Sequence, residues 1–112
     1  MKNFFLVIPT RDRIDYLSNL LCDLNVFSKH ISQVVIVDQS QESIKEEIEK
    51  LSLDYSFSMI ENNRDNSVNH SRNLALQLYK EEEWLFFLDD DLRIPSIAFE
   101  QIIATLDPNI VD

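Results

Sequence analysis

Three consecutive carboxylates, Asp89-Asp90-Asp91, follow directly on the apolar run Trp84-Leu85-Phe86-Phe87-Leu88. Carboxylate oxygens are hard ligands, and Mg²⁺ or Mn²⁺ usually takes one or two of them together with substrate phosphates. Two aspartates flanking one residue can place both carboxylates around one cation. A cation held there neutralises a diphosphate and stabilises it as a leaving group. A single aspartate after a strand is most often a loop or capping residue. Three together, in a chain of net charge −10, repel one another and call for a positive partner or for solvent.

Other polar groups stand at comparable places. Pro9-Thr10-Arg11-Asp12 ends one apolar run and Asp38-Gln39-Ser40 ends another. Asn69, Arg72 and Asn73 share a helix face by their i+3 and i+4 spacing, near an N-terminus where anions are favoured. Taken alone, Asp38 reads as a turn or capping residue and Arg72 as a surface partner of a nearby glutamate. Ser40 and Ser43 read as caps of the following helix. His30 and His70 have no spacing for a shared metal and read as surface or loop residues. No Ser-His-Asp or Cys-His arrangement can be argued.

Composition bounds the chemistry. With no glycine in 112 residues, against about eight in an average chain of this length, no P-loop and no dinucleotide fingerprint is present. Positive-φ positions then fall to Asn or Asp, and residues 61–66 look like such a substitute. The acidic balance repels nucleic acid, and no Lys/Arg stripe tracks phosphates. One cysteine, Cys22, allows no internal disulfide and fits a reducing cytoplasm. It falls on the apolar side of a predicted helix and reads as a buried, inert thiol. No apolar run is long enough to span a membrane. The start resembles a signal peptide only superficially, because Pro9 and Arg11 end its apolar stretch early.

The elements that position these residues follow from periodicity. Apolar runs at 4–8, 34–37 and 84–88 and an alternating run at 55–60 predict four strands, the third nearer an edge. Pro9 ends the first. Ile14, Leu17, Leu21 and Leu24 form a helical stripe, with Thr10 or Asp12 as its cap. Ile44, Ile48 and Leu51 form a second stripe, with an exposed Glu46–Lys50 pair. A third helix is expected over 67–81 with Leu74, Ala75, Leu78 and Tyr79 inward. A fourth runs from Pro95 to about 106, closed by Asp107-Pro108 before a further strand at 110–111. This alternation predicts an α/β fold, a Rossmann-like three-layer sandwich on a mainly parallel, doubly wound sheet. If the order is 3-2-1-4, the loops after strands one and four are neighbours and form the ligand crevice.

LVIPTRDRIDYL, VVIVDQSQES, SRNLAL and FFLDDDLRIP, in this order and spacing, resemble the nucleotide-binding half of family 2 glycosyltransferases of the GT-A fold. Each motif alone is weak; four in register are fairly specific. The resemblance covers essentially the whole chain and implies a single domain, 1–112, incomplete at its C-terminus, with the acceptor-binding half absent. It implies a hexosyltransferase-like enzyme that binds a nucleoside diphosphate sugar, UDP- or dTDP-linked, through Mn²⁺ or Mg²⁺. The sugar would pass to an acceptor hydroxyl in polysaccharide or glycolipid synthesis.

The same resemblance implies nucleotide-binding roles for Pro9, Thr10, Arg11, Asp38, Ser40, Arg72, Asn73, Asp89 and Asp90. Thr10 and Arg11 would lie beside the nucleoside, Asp38 would accept from the imide of the base, and Arg72 would hold base or ribose. Asp89 and Asp91 would be the outer pair of the DXD motif, Asp89 toward the ribose and Asp91 on the metal, with Asp90 the alternative metal ligand. Asp12 stands where the family usually has Asn, and Ser40 or Gln41 and Ser67 stand near its usual glycines. The acceptor-side base is not in this chain, and the acceptor is unknown. Peripheral membrane association of the full enzyme and a homodimer built on the exposed apolar end are further expectations. The alternative function is a truncated, non-catalytic binding module of the same fold.

Two look-alikes fail on placement. A phosphotransfer receiver needs an acidic pair after strand one, where Pro9-Thr10-Arg11 stands. A haloacid-dehalogenase-type phosphatase carries its DXD on the first strand, whereas here it follows the fourth.

Overall fold

The computed structural model describes residues 3–61, 73, 75–79, 83–95, 97–98 and 100–101. Strand β1 (Phe4–Thr10) is the axis of the sheet. Alternate side chains of a strand point to opposite faces, and here both faces are covered. Phe4, Leu6 and Ile8 join one core cluster while Phe5 and Val7 join another. Strand β2 (Ile31–Asp38) divides in the same way, with Val34 and Ile36 on the first face and Val35 and Val37 on the second. This double burial is why both strands read as unbroken apolar runs rather than alternating ones.

With β3 (Phe57–Glu61) and β4 (Trp84–Phe87) the sheet has the order β3-β2-β1-β4, every pair parallel. That is the order the crevice requires, with β3 at one edge. Strand order reverses at β1, so the loops after β1 and β4 meet there. Helix α1 (Ile14–Leu24) covers the first face through Leu17, Leu20, Leu21 and Leu24, all buried. Helix α2 (Lys45–Glu49) adds Ile48. Ala75, in a helical segment, lies against the opposite face with Tyr79 beside it. The layers are those of an α/β sandwich.

Several local expectations are corrected. β1 does not stop at Pro9 but continues through it, Pro9 pairing with Val37 and Thr10 with Asp38. Val7 O accepts from Leu88 N at 2.9 Å, and Pro9 faces the same side as Val7. The β1–β4 ladder has already ended at Val7–Phe87, so the missing proline N–H costs no ladder bond. The cap of α1 is neither Thr10 nor Asp12. Arg13 occupies that position without a side-chain cap bond, because the other two side chains are engaged by neighbouring loops. Cys22 is exposed, one step of 100° around the helix from the buried Leu21.

Helix α2 is shorter than its stripe, and its i, i+4 ion pair is Lys45–Glu49 at 4.0 Å rather than Glu46–Lys50. Tyr55 precedes β3 instead of opening it. It is buried, and its hydroxyl donates to Leu21 O at 2.7 Å. Leu78 is exposed rather than inward. The N–H groups of Leu78 and Tyr79 bond three residues back, to Ala75 O and Leu76 O, which tightens the turn and rotates Leu78 off the helical stripe. The expected glycine substitutes at 62–66, most of the third helix, and everything from 102 onward lie outside the described residues. Among the described residues, no helix is long and apolar enough to cross a membrane.

One polar clamp ties the segment after β4 to α1. Asp23 accepts from Arg93 Nε at 2.8 Å, Arg93 Nη2 at 3.2 Å and Ile94 N at 3.0 Å. The Arg93 hydrogen bond, opposed by partial burial, holds the Asp23 carboxyl below its ordinary value. A depressed carboxylate pKa stabilises the fold at pH values above the unfolded value of about 3.9, and the gain fades as pH falls through the folded value. In urea titrations, wild type minus Asp23→Asn should therefore show a constant stability difference from pH 7 to about 4, shrinking below that. In the core, Leu20 is fully buried, and Leu20→Ala is expected to cost about 2–5 kcal/mol, read as a fall in the denaturation midpoint.

Candidate functional site

The polar residues at the carboxyl ends of the strands are drawn together by a few long-range bonds. Thr10, buried at the end of β1, donates from Oγ1 to Asp90 Oδ2 at 2.9 Å. Asp90 is 7% exposed. A carboxylate so placed must be hydrogen-bonded or paired. Its other oxygen faces Arg13 Nη1 at 3.5 Å, and the same nitrogen lies 3.6 Å from Asp91 Oδ2.

The turn explains why three identical residues behave differently. Leu92 N donates to Asp89 O at 3.2 Å, closing a four-residue turn over 89–92. Asp90 is directed inward to Thr10, while Asp89 and Asp91 are exposed. The two aspartates that flank one residue are thus the ones with carboxylates toward solvent.

The β2 loop is held by its own aspartate. Asp38 is buried; Oδ1 accepts from Ser40 N at 2.8 Å and Oδ2 from Ile44 N at 3.4 Å. The first bond is an Asx turn, the second reaches the residue before α2. This is the turn-and-cap reading of Asp38. Ser43 also serves the helix start, its hydroxyl accepting from Lys45 N at 3.3 Å. Ser40 turns elsewhere: its Oγ accepts from Asp12 N at 2.8 Å, and Asp12 Oδ1 accepts from Gln41 N at 2.9 Å. The two loops are joined reciprocally. Asp12 has φ 55°, a left-handed conformation that Asp tolerates better than most non-glycine residues.

Of the expected site residues, Thr10, Asp38, Ser40, Asp90 and Asp91 are linked through these bonds and the Thr10–Asp38 register. Asp89 borders them, Pro9 lies within β1, and Arg11 is exposed beside Thr10. Asn73 is helical and exposed; Asn69 and Arg72 lie outside the described residues. Sequence reasoning missed Arg13. The signal was its position three residues after Thr10 in a chain with half as many cations as anions. Among the described residues, no group of three or more His, Cys, Asp or Glu side chains is arranged to hold a metal ion. What they offer a cation is one or two carboxylates, the donor set that Mg²⁺-type ions complete with phosphate oxygens.

Thr10→Val keeps the shape of the β1 terminus but strips Asp90 Oδ2 of its donor. It is expected to cost about 1–3 kcal/mol in chemical denaturation.

The fold has close counterparts among solved structures. The crystal structure of S. aureus TarS 1-349 superposes with a TM-score of 0.73 at 28% identity, over 96% of this chain and 32% of that one. The same protein in complex with UDP-GlcNAc gives 0.72 at 27% identity, over 96% and 31%. A further S. aureus TarS structure gives 0.65 at 25% identity, over 94% and 20%. The chain thus spans a third or less of those proteins. Among curated proteins, none matches significantly. The architecture is the expected GT-A type. The sequence profile of glycosyl transferase family 2 matches residues 5–111, and the chain belongs to that family.

Proposed function

We propose that this chain is the donor-binding half of a sugar transferase. It takes a nucleoside diphosphate sugar, UDP- or dTDP-linked, whose sugar passes to an acceptor hydroxyl in polysaccharide or glycolipid synthesis. The observation that carries the reading is the Thr10–Asp90 hydrogen bond across the switch point. It brings the loops after β1 and β4 together where α/β sheets bind ligands and leaves Asp89 and Asp91 facing outward. Family membership and likeness to a protein solved with UDP-GlcNAc support the same reading.

The residues divide the work by their surroundings. Thr10 and Arg11 border the nucleoside. Asp38 already accepts two backbone N–H bonds, but a carboxylate has about four lone-pair sites, so it retains capacity for the imide N–H of a uracil or thymine. Arg72 and Asn73 take further contacts to the nucleotide, Arg72 to the base or its ribose. Asp89 faces the ribose, and Asp91 is the ligand of Mn²⁺ or Mg²⁺. Asp90 is the inner residue that fixes the other two. The bound ion supplies charge neutralisation of the diphosphate leaving group. The base that deprotonates the acceptor belongs to the acceptor side.

Calorimetric titration of UDP, with Mn²⁺ and then with EDTA, tests this on wild type and Asp91→Ala. The expected result is metal-dependent binding in wild type that weakens at least tenfold in the mutant, in line with a lost metal ligand. Absence of heat at millimolar UDP on folded protein would overturn the donor reading and point to a non-catalytic module of the same fold.

A further inference from the structure

We infer that Arg13 is a resident counter-cation that couples the metal to the diphosphate, so that the site takes up the two together and resists the metal alone. This rests on the donor-site reading above. The observation is that one guanidinium nitrogen, Nη1, faces both Asp90 Oδ1 at 3.5 Å and Asp91 Oδ2 at 3.6 Å. The two carboxylates differ in what they need from it. Asp90 is buried and has Thr10 as a second partner, so its attachment is fixed. Asp91 is half exposed, as is Arg13 itself, at 53% and 52% of their side-chain surfaces.

A carboxylate oxygen can be shared between a guanidinium and a divalent cation only at the cost of setting two positive charges close together. With no anion nearby, the cation has to displace Arg13 from Asp91. When a diphosphate arrives, it provides oxygens for both. The guanidinium is a rigid fork suited to phosphate, and its stem can turn from Asp91 while staying in reach of Asp90. The backbone at this point is well placed for such a pivot. Arg13 is the cap residue just before α1, with no side-chain cap bond holding it. A chain of net charge −10 has reason to keep an exposed carboxylate pair from collecting free cations.

The test separates metal-only from metal-with-nucleotide binding. Titrations of Mn²⁺ alone, and of UDP in saturating Mn²⁺, are run on wild type, Arg13→Gln, Arg13→Lys and Lys29→Gln, with melting temperatures for each. Lys29→Gln removes the same charge from the exposed turn before β2. Arg13→Gln is expected to bind Mn²⁺ alone about tenfold more tightly and UDP with Mn²⁺ about tenfold more weakly. Arg13→Lys should fall between wild type and Gln in both, since it keeps charge without the fork. Lys29→Gln should change neither, and a loss of folding would not move the two affinities in opposite directions. Shifts of the same sign in Arg13→Gln, or the same split in Lys29→Gln, would overturn the inference. Wild type that binds UDP with Mn²⁺ while Arg13→Gln shows no split would overturn it alone. Wild type that takes up no UDP at all would remove the donor reading and this inference with it.

Discussion

Asp90 is a carboxylate buried at the carboxyl end of a parallel sheet, and such a group must have partners or be neutralised. Much of the site's geometry depends on how that requirement is met. Thr10 provides a hydroxyl from β1, which ties the loop after β4 to the strand where the sheet order reverses. Arg13 provides a cation from the cap position just before α1. The central aspartate is consumed inside the protein, and its neighbours keep their carboxylates toward solvent. A single buried acid thereby divides a repulsive run of three into one structural residue and two solvent-facing neighbours, of which Asp91 shares Arg13 with it.

The absence of glycine makes a second constraint visible. The turn after β1 needs a left-handed residue, and Asp12 fills that position at φ 55°. A glycine there would carry no side chain. Asp12 instead accepts from Gln41 N while its own N–H donates to Ser40 Oγ. Conformational cost in the β1 loop is thus offset by bonds that fix the β2 loop beside it. The same substitution explains why no side chain caps α1: the residues at hand for capping already face other loops.

Strand positions were legible in the sequence because double burial leaves continuous apolar runs, whereas the order 3-2-1-4 entered only as a condition borrowed from doubly wound sheets. The extent of β1 was not legible, since whether proline ends a strand depends on which neighbour its missing N–H faces. Leu78 was misplaced because period counting assumes an unbroken α-helix, whereas its hydrogen bonds shorten to i−3. In the site, Thr10, Asp38 and the aspartate run were found as strand-end residues. Which aspartate turns inward could not be read from three identical letters; a partner 80 residues away decides it. Arg13 was missed for the same reason, its acceptor lying 77 residues further on.

Helix α1 holds the aspartate segment at both of its own ends. Arg13 grips Asp90 and Asp91 at the helix start, and Asp23 grips Arg93 and Ile94 near its finish. Ten residues of helix rise about 15 Å, while the four steps from Asp90 to Ile94 reach at most about 14 Å when extended. Because the chain turns over 89–92, the segment spans less than that, and the two long arginine side chains make up the difference. The helix has its leucines in the core, so it is anchored independently of the site. It acts as a fixed support to which the segment is attached on both sides of the turn, by Arg13 at Asp90 and Asp91 and by Asp23 at Arg93 and Ile94.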